Sequence, residues 1–79
     1  MSEVPRADQE LDTLALRCPM PLLKTRQAVR QLSSGRILHV RASDPGARRD
    51  IPAWIRQSDH ELVHFAEPDG ELHFWIRVA

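Results

Sequence analysis

Two prolines separated by one residue, Pro19 and Pro21, constrain the fold more than any other feature of the sequence. Proline has no amide hydrogen, so neither residue fits inside a sheet, but both suit the first turn of a helix, where amides lack intrahelical partners. They follow an alternating segment, residues 9–16, that is typical of a strand. The sequence therefore predicts a strand that ends shortly before Cys18 and a helix that begins just after it.

The periodicity of the remaining sequence completes the order βαβαββ. Apolar residues at helical spacing form one face of the first helix: Leu22, Leu23, Ala28, Val29 and Leu32. The later elements are predicted, in chain order, as a strand at 36–43, a helix within 47–57, a strand at 60–67, a hairpin loop at 68–70 and a strand at 71–78. This order predicts an α/β (α+β) fold, a two-layer sandwich with both helices on one face of a mixed four-stranded sheet.

The length and composition of the chain fit one small domain. Residues 1–8 mix polar types without a period and are expected to form a flexible lead-in, with residues 9–79 as a single domain. Eleven basic residues balance eleven acidic ones, so we expect no general attraction to nucleic acids or membranes. No apolar run approaches the roughly 18 residues of a membrane span, and the N-terminus lacks a signal-peptide pattern. We therefore expect a cytoplasmic monomer.

Cys18 is the single cysteine, so it cannot form a disulfide within the chain. A side chain at the start of a helix meets the positive end of the helix dipole, and Arg17 adds a positive charge, which together predict a thiolate. Pro19 and Pro21 stiffen the backbone around the sulfur, with Met20 between them. From the residues alone, two interpretations stay open: a functional exposed thiol, or a small buried hydrophobic residue.

Five short segments resemble, in order, the TusA/SirA-like sulfur carrier family. They are Leu11-Asp12, Leu16-Arg17-Cys18-Pro19-Met20-Pro21, Asp44-Pro45-Gly46, Asp50-Ile51-Pro52 and His60-Glu61-Leu62-Val63. The resemblance covers about residues 10–78, and its Cys-Pro-x-Pro element is the motif that defines the family. Met20 departs from the family pattern, in which an acidic residue is common at that position.

The resemblance implies that Cys18 takes sulfane sulfur from a cysteine desulfurase or a rhodanese-type sulfur donor. Cys18 would hold this sulfur as a persulfide and pass it to an acceptor protein. In different branches of the family the sulfur serves tRNA thiolation, molybdenum-cofactor maturation or sulfur oxidation. We expect no cofactor, because thiolate attack on a persulfide sulfur is sufficient, and a chain without a second cysteine must release its sulfur on a partner.

Charged residues near the thiol are candidates for partner binding. Lys24, Arg26 and Arg30 lie on the polar side of the first predicted helix, where they form either a basic patch for an acidic partner or an ordinary solvated face. Asp44 and Asp50 flank the start of the second predicted helix. They either orient a partner or stabilise the loop, and for Asp50 the sequence favours capping of that helix.

The four histidines, His39, His60, His64 and His73, show no spacing typical of a zinc site. We expect each to be a surface or half-buried strand residue, and we expect no metal site. Two further functions stay open. One is an adaptor module in which the thiol has no role, and the other is RNA binding, which the zero net charge disfavours.

Overall fold

The computed structural model describes residues 4–79, which form a four-stranded sheet in the order β1-β2-β4-β3. The strands are β1 (Gln9–Thr13), β2 (Ile37–Ala42), β3 (Glu61–Ala66) and β4 (Leu72–Arg77). The helices are α1 (Met20–Arg30) and α2 (Ala47–Arg56), and a short 3-10 turn (Pro68–Gly70) joins β3 to β4. β1 runs parallel to β2, whereas β4 lies antiparallel to both of its neighbours. The predicted fold class and order of elements are confirmed.

Both helices cover the same face of the sheet, and the core lies between the two layers. β2 shows the alternation clearly, because Leu38 and Val40 are fully buried whereas His39 lies on the opposite face. The core comprises Ala28, Val29, Leu38, Val40, Ala42, Ala47, Ile51, Ile55, Leu72, Phe74, Ile76 and Val78. Each large member contributes about 1.5–3 kcal/mol by burial. Within residues 4–79, neither helix has the length and apolar character needed to cross a membrane.

α1 begins at Met20, as the two prolines predict. Its buried stripe starts at Pro21 and continues through Thr25, whose hydroxyl donates a hydrogen bond to the Pro21 carbonyl at 2.7 Å. The prediction that Leu23 faces the core is wrong, because this side chain is 40% exposed. Leu23 follows Pro21 by two residues, which places it about 200° around the helix from the buried stripe.

α2 begins at Ala47, and its N-cap residue is Gly46. The amide of Gly46 donates a hydrogen bond to Asp44 Oδ2 at 2.9 Å, so Asp44 stabilises the loop before the helix. Asp50 lies inside the first turn and makes no capping hydrogen bond. The prediction that Asp50 caps this helix is therefore wrong, because the helix starts earlier than that role requires.

Because β1 and β2 are parallel, their carboxyl ends lie at the same edge of the sheet. The loop that follows β1 and the loop that follows β2 meet there, and the Ser43 hydroxyl donates a hydrogen bond to the Leu14 carbonyl between them. This meeting of loops brings Cys18 against the start of α2.

Asp8, the last residue of the expected lead-in, is bound to the sheet. Its amide donates to the Ile37 carbonyl, and its carboxylate accepts a hydrogen bond from the Ile37 amide, both at 2.8 Å. This hydrogen bond to the carboxylate, supported by the charge of Arg36, lowers the pKa of Asp8 below its ordinary value. Residues 1–3 of the lead-in lie outside the described residues.

Candidate functional site

Cys18 lies in the loop between β1 and α1, and its side chain is exposed to solvent. The interpretation of this residue as a buried hydrophobic side chain is wrong. The Cys18–Pro19 peptide bond is cis. Pro19 and Met20 are exposed beside the sulfur, whereas Pro21 is buried and anchors the start of α1 to the core. The thiol is therefore accessible while the helix behind it is fixed.

The Cys18 thiol donates a hydrogen bond to Asp50 Oδ2, with 3.3 Å between the sulfur and the oxygen. Gly46 packs closely against the same sulfur. A Cβ atom at Gly46 would lie 3.3 Å from Cys18 Sγ and 2.8 Å from Asp44 Oδ2. The absence of a side chain at Gly46 is thus what allows the start of α2 to approach the thiol.

The carboxylates around Cys18 oppose ionisation of the sulfur. The hydrogen bond to Asp50 is the largest cause of a raised pKa of the Cys18 thiol, followed by desolvation and by the negative charges of Asp50 and Asp44. Arg49 has the opposite, smaller effect. The surroundings of the thiol in the free protein therefore oppose the thiolate that the sequence predicts.

One backbone amide at the start of α1 is not free to stabilise an anion on the sulfur. The amide of Met20, the first residue of α1, donates a hydrogen bond to the Arg17 carbonyl at 2.7 Å and is not a free donor for the sulfur. Arg17 itself is exposed, and the cation that acts on the thiol is Arg49. The charged groups that act on the Cys18 thiol therefore lie at and just before the start of α2.

A groove of about 300 Å³ runs between the two helices and reaches Asp50, which contacts the thiol. Its lining residues are Leu22, Arg26, Asp50, Ala53, Trp54 and Gln57. A second groove, of about 260 Å³, is lined by Leu23, Arg26, Gln27 and Arg30. The predicted partner-binding residues Arg26 and Arg30 therefore share one surface, and Arg26 also shares a groove with Asp50. Lys24 is exposed on the same helix.

Sequence reasoning placed Cys18, Asp44 and Asp50 among the site residues but assigned no role at the thiol to Gly46 or Arg49. The one available signal was the predicted order strand, helix, strand, because strands joined through a helix commonly pair in parallel, with the loops after them at the same edge of the sheet. This order predicts that the loops after the two strands lie close together, but it does not predict which side chains are in contact.

A separate histidine–tryptophan cluster, formed by His39, His64, His73 and Trp75, occupies the sheet face opposite the helices. The rings of His39 and Trp75 stack with centroids 4.3 Å apart and an interplanar angle of 4°. His64 meets the same indole edge-on at 5.0 Å. Trp75 is only 6% exposed although no helix covers this face. The expectation of surface or half-buried strand residues is confirmed for His39, His64 and His73, whereas His60 lies just before β3. The sequence did not predict the cluster itself, in which strand pairing places His39 and His64 opposite Trp75.

Hydrogen bonds fix the arrangement of protons in this cluster. His39 Nε2 lies 2.8 Å from His73 Nδ1, and His73 Nε2 lies 3.0 Å from Glu71 Oε1. Glu71 accepts from His73 Nε2–H, so in the neutral pair His73 Nδ1 accepts from His39 Nε2–H. Burial, aided by the charge of His73, lowers the pKa of His39. Among residues 4–79, no three or more His, Cys, Asp or Glu side chains are grouped to hold a metal ion.

The described residues thus form a small α+β sandwich that presents an exposed thiol between a strand and a helix. The match to the family described as Sulfurtransferase TusA spans residues 9–78, nearly the whole chain. The chain belongs to this family, and the resemblance stated from the sequence is confirmed.

Relatives agree with this family assignment, and a solved structure shares the fold. The chain is 43% identical over 72 residues to the sulfur carrier protein TusA of Allochromatium vinosum, covering 91% of this chain and 95% of that protein. It is 40% identical over 72 residues to the putative sulfur carrier protein YrkI of Bacillus subtilis, covering 91% and 96% respectively. The crystal structure of a SirA-like protein from Desulfitobacterium hafniense has the same fold, with a TM-score of 0.78, 18% identity and coverage of 90% and 97%.

Proposed function

We propose that this chain is a sulfur carrier in which Cys18 binds sulfane sulfur as a persulfide. The observation that carries the proposal is the exposed thiol just before α1 in a member of the TusA family. Relatives at 40% and 43% identity are named as sulfur carrier proteins, which supports a role in a sulfur relay. Cys18 is the sulfur-bearing residue of the proposal because it is the only cysteine in the sequence.

The proposed transfer balances without a redox cofactor. The Cys18 sulfur donates an electron pair to the outer sulfur of the donor protein's persulfide, and a new S–S bond forms as the donor's S–S bond breaks. The donor's cysteine leaves with that bonding pair and takes up the proton that Cys18 loses. Donor persulfide and Cys18 thiol thus become donor thiol and Cys18 persulfide. Release occurs when a thiolate of an acceptor protein attacks the outer sulfur in turn.

The partners in this relay are a cysteine desulfurase or a rhodanese-type sulfur donor, and an acceptor protein with its own reactive thiol. The exposed surface of α1 is the proposed docking surface. Met20 and Leu23 are 38% and 40% exposed there, and Arg26 and Arg30 line the groove beside Leu23. Exposed apolar side chains combined with arginine are characteristic of protein interfaces. This surface suits a partner that presents apolar and acidic groups, in the cytoplasm, where a lone thiol stays reduced.

Intact mass spectrometry tests the proposal. The protein is incubated with a cysteine desulfurase and cysteine, separated from the enzyme, and compared with Cys18→Ser treated identically. We expect the wild-type chain to gain the mass of one sulfur atom, which a reductant removes, and we expect no gain for Cys18→Ser. Failure of the wild-type chain to gain sulfur from either a desulfurase or a rhodanese-type donor would contradict the proposal.

A further inference from the structure

Asp50 is in contact with the reactive sulfur but has no capping role in α2. Gly46 occupies the N-cap position, and Asp44 binds the Gly46 amide. The Asp50 side chain is 23% exposed, with Oδ1 3.7 Å from Arg49 Nε, while Oδ2 accepts the hydrogen bond from the Cys18 thiol at 3.3 Å. A carboxylate in a first turn also interacts favourably with the helix dipole. A test of Asp50 must therefore separate this structural effect from an effect on the sulfur.

The surroundings of the sulfur favour its protonated form. Asp50 and Asp44 place two negative charges near Sγ, whereas the side chain of Arg49 is 87% exposed and its charge is screened by water. Ionisation would also remove the hydrogen bond between Cys18 and Asp50, because an ionised carboxylate accepts hydrogen bonds but cannot donate one. The contact therefore exists only while the sulfur keeps its proton.

We propose that Asp50 is a positioning residue for sulfur transfer: it directs Cys18 Sγ toward the start of α2 and keeps the sulfur protonated until a sulfur donor docks. This inference rests on the proposed carrier function. When a docked donor neutralises the Asp50 charge with a cationic group, the sulfur loses its proton and attacks the donor's persulfide. That proton passes to the donor's leaving cysteine, so Asp50 emerges unchanged. The free carrier is consequently slow to react with small electrophiles.

The experiment compares Asp50→Asn with Asp59→Asn, a matched removal of one negative charge from an exposed aspartate beyond the end of α2. The rate of Cys18 alkylation by iodoacetamide is measured on the free, folded proteins across a range of pH. For Asp50→Asn we expect the rate profile to move to lower pH, with alkylation about two- to fivefold faster near pH 7. Asp59→Asn should match the wild-type profile.

Two further variants guard against a purely structural effect. Asp50→Glu keeps the carboxylate and should keep a profile closer to wild type than Asp50→Asn does. Asp44→Asn removes a second negative charge but retains an oxygen for the Gly46 amide, so a smaller shift in the same direction is expected. If Asp50→Asn fails to fold, Asp50→Ser, which removes the same charge, is measured in its place, and an unshifted profile for that variant overturns the proposal.

An Asp50→Asn profile that coincides with wild type, or moves to higher pH, would overturn the role of Asp50. This outcome is separable from failure of the carrier function. If only the role of Asp50 is wrong, the wild-type chain still gains sulfur on Cys18. If the carrier function is wrong, the wild-type chain gains no sulfur, whatever the alkylation rates of the aspartate variants.

Discussion

Two regions of this protein hold a titratable group in its neutral form, and they do so by different means. At the Cys18 site, a hydrogen bond to Asp50 and nearby negative charges raise the pKa of an exposed thiol. In the histidine–tryptophan cluster, burial is the main cause that lowers the pKa of His39, whose side chain is only 13% exposed. The first effect depends on charges at the surface, and the second on packing between strands.

This difference determines which region can respond to a partner. Charges at an exposed site are screened by water and are readily compensated by a docked protein, so the state of Cys18 can change on binding. In the cluster, His39 instead pairs with His73, His73 pairs with Glu71, and the His39 ring stacks on Trp75. We infer that the thiol site is adapted to change its chemical state, whereas the cluster stabilises the uncovered face of the sheet.

The largest expected difference between the two regions is in their contribution to the free energy of unfolding. Trp75→Ala should lower the free energy of unfolding by about 3–5 kcal/mol, because a buried indole leaves a cavity. Cys18→Ala removes an exposed side chain and should change the free energy of unfolding by less than about 0.5 kcal/mol. Urea unfolding followed by circular dichroism measures both. Equal losses in the two variants would show that the regions do not differ in structural importance.

Gly46→Ala tests how closely packed the thiol site is. The new Cβ would lie 2.8 Å from Asp44 Oδ2 and 3.2 Å from Cys18 Cβ, so we expect a loss of about 1–3 kcal/mol in stability and an altered rate of Cys18 alkylation. Gly35→Ala is the control. The positive φ of Gly35, 87°, would strain an alanine, but no atom lies within 4 Å of the added Cβ. Gly35→Ala should therefore lower stability without changing the alkylation rate of Cys18. Unaltered alkylation in Gly46→Ala would mean that the sulfur tolerates the extra atom.

The smallest expected effect is a pH dependence from His39. The folded-state pKa of His39 lies below its ordinary value of 6.5, so the unfolded chain binds this proton first as the pH falls. Stability should therefore decrease on acidification from about pH 7 to about pH 5.5. His73 and Arg41 oppose protonation of His39, whereas Glu10, whose Oε1 lies 3.8 Å from Nδ1, favours it.

Substitution His39→Gln should make this loss of stability on acidification shallower, as measured by urea unfolding at the two pH values. His60→Gln, outside the cluster, is the control for removal of an imidazole. An equal acid-induced loss in wild type and His39→Gln would remove His39 as the source of the effect.

The sequence was sufficient for the features that depend on local chemistry. Proline geometry located the start of α1, and period-two patterns located β2 and β4 to within about one residue. The position of Cys18 just before a helix followed from the same prolines. These predictions succeeded because each depends on residues that are neighbours in the chain.

Features that depend on contacts between distant residues were missed or wrong. The Cys18–Asp50 hydrogen bond joins residues 32 positions apart, and the His39–His73 contact joins residues 34 apart. No periodicity encodes such contacts, because the approach of two loops or the register of two strands sets them. Ionisation of Cys18 was predicted from the helix dipole and the charge of Arg17, whereas the distant carboxylates of Asp50 and Asp44 raise the pKa of its thiol.

The most direct test of a sulfur carrier built on Cys18 is to follow radiolabelled sulfur from cysteine through a desulfurase to this protein, and then to digest and map the labelled peptide. The label should reside in the peptide that contains Cys18, be released by reductant, and move to an acceptor protein when one is added. Label that maps elsewhere, or that persists in Cys18→Ser, would contradict the account.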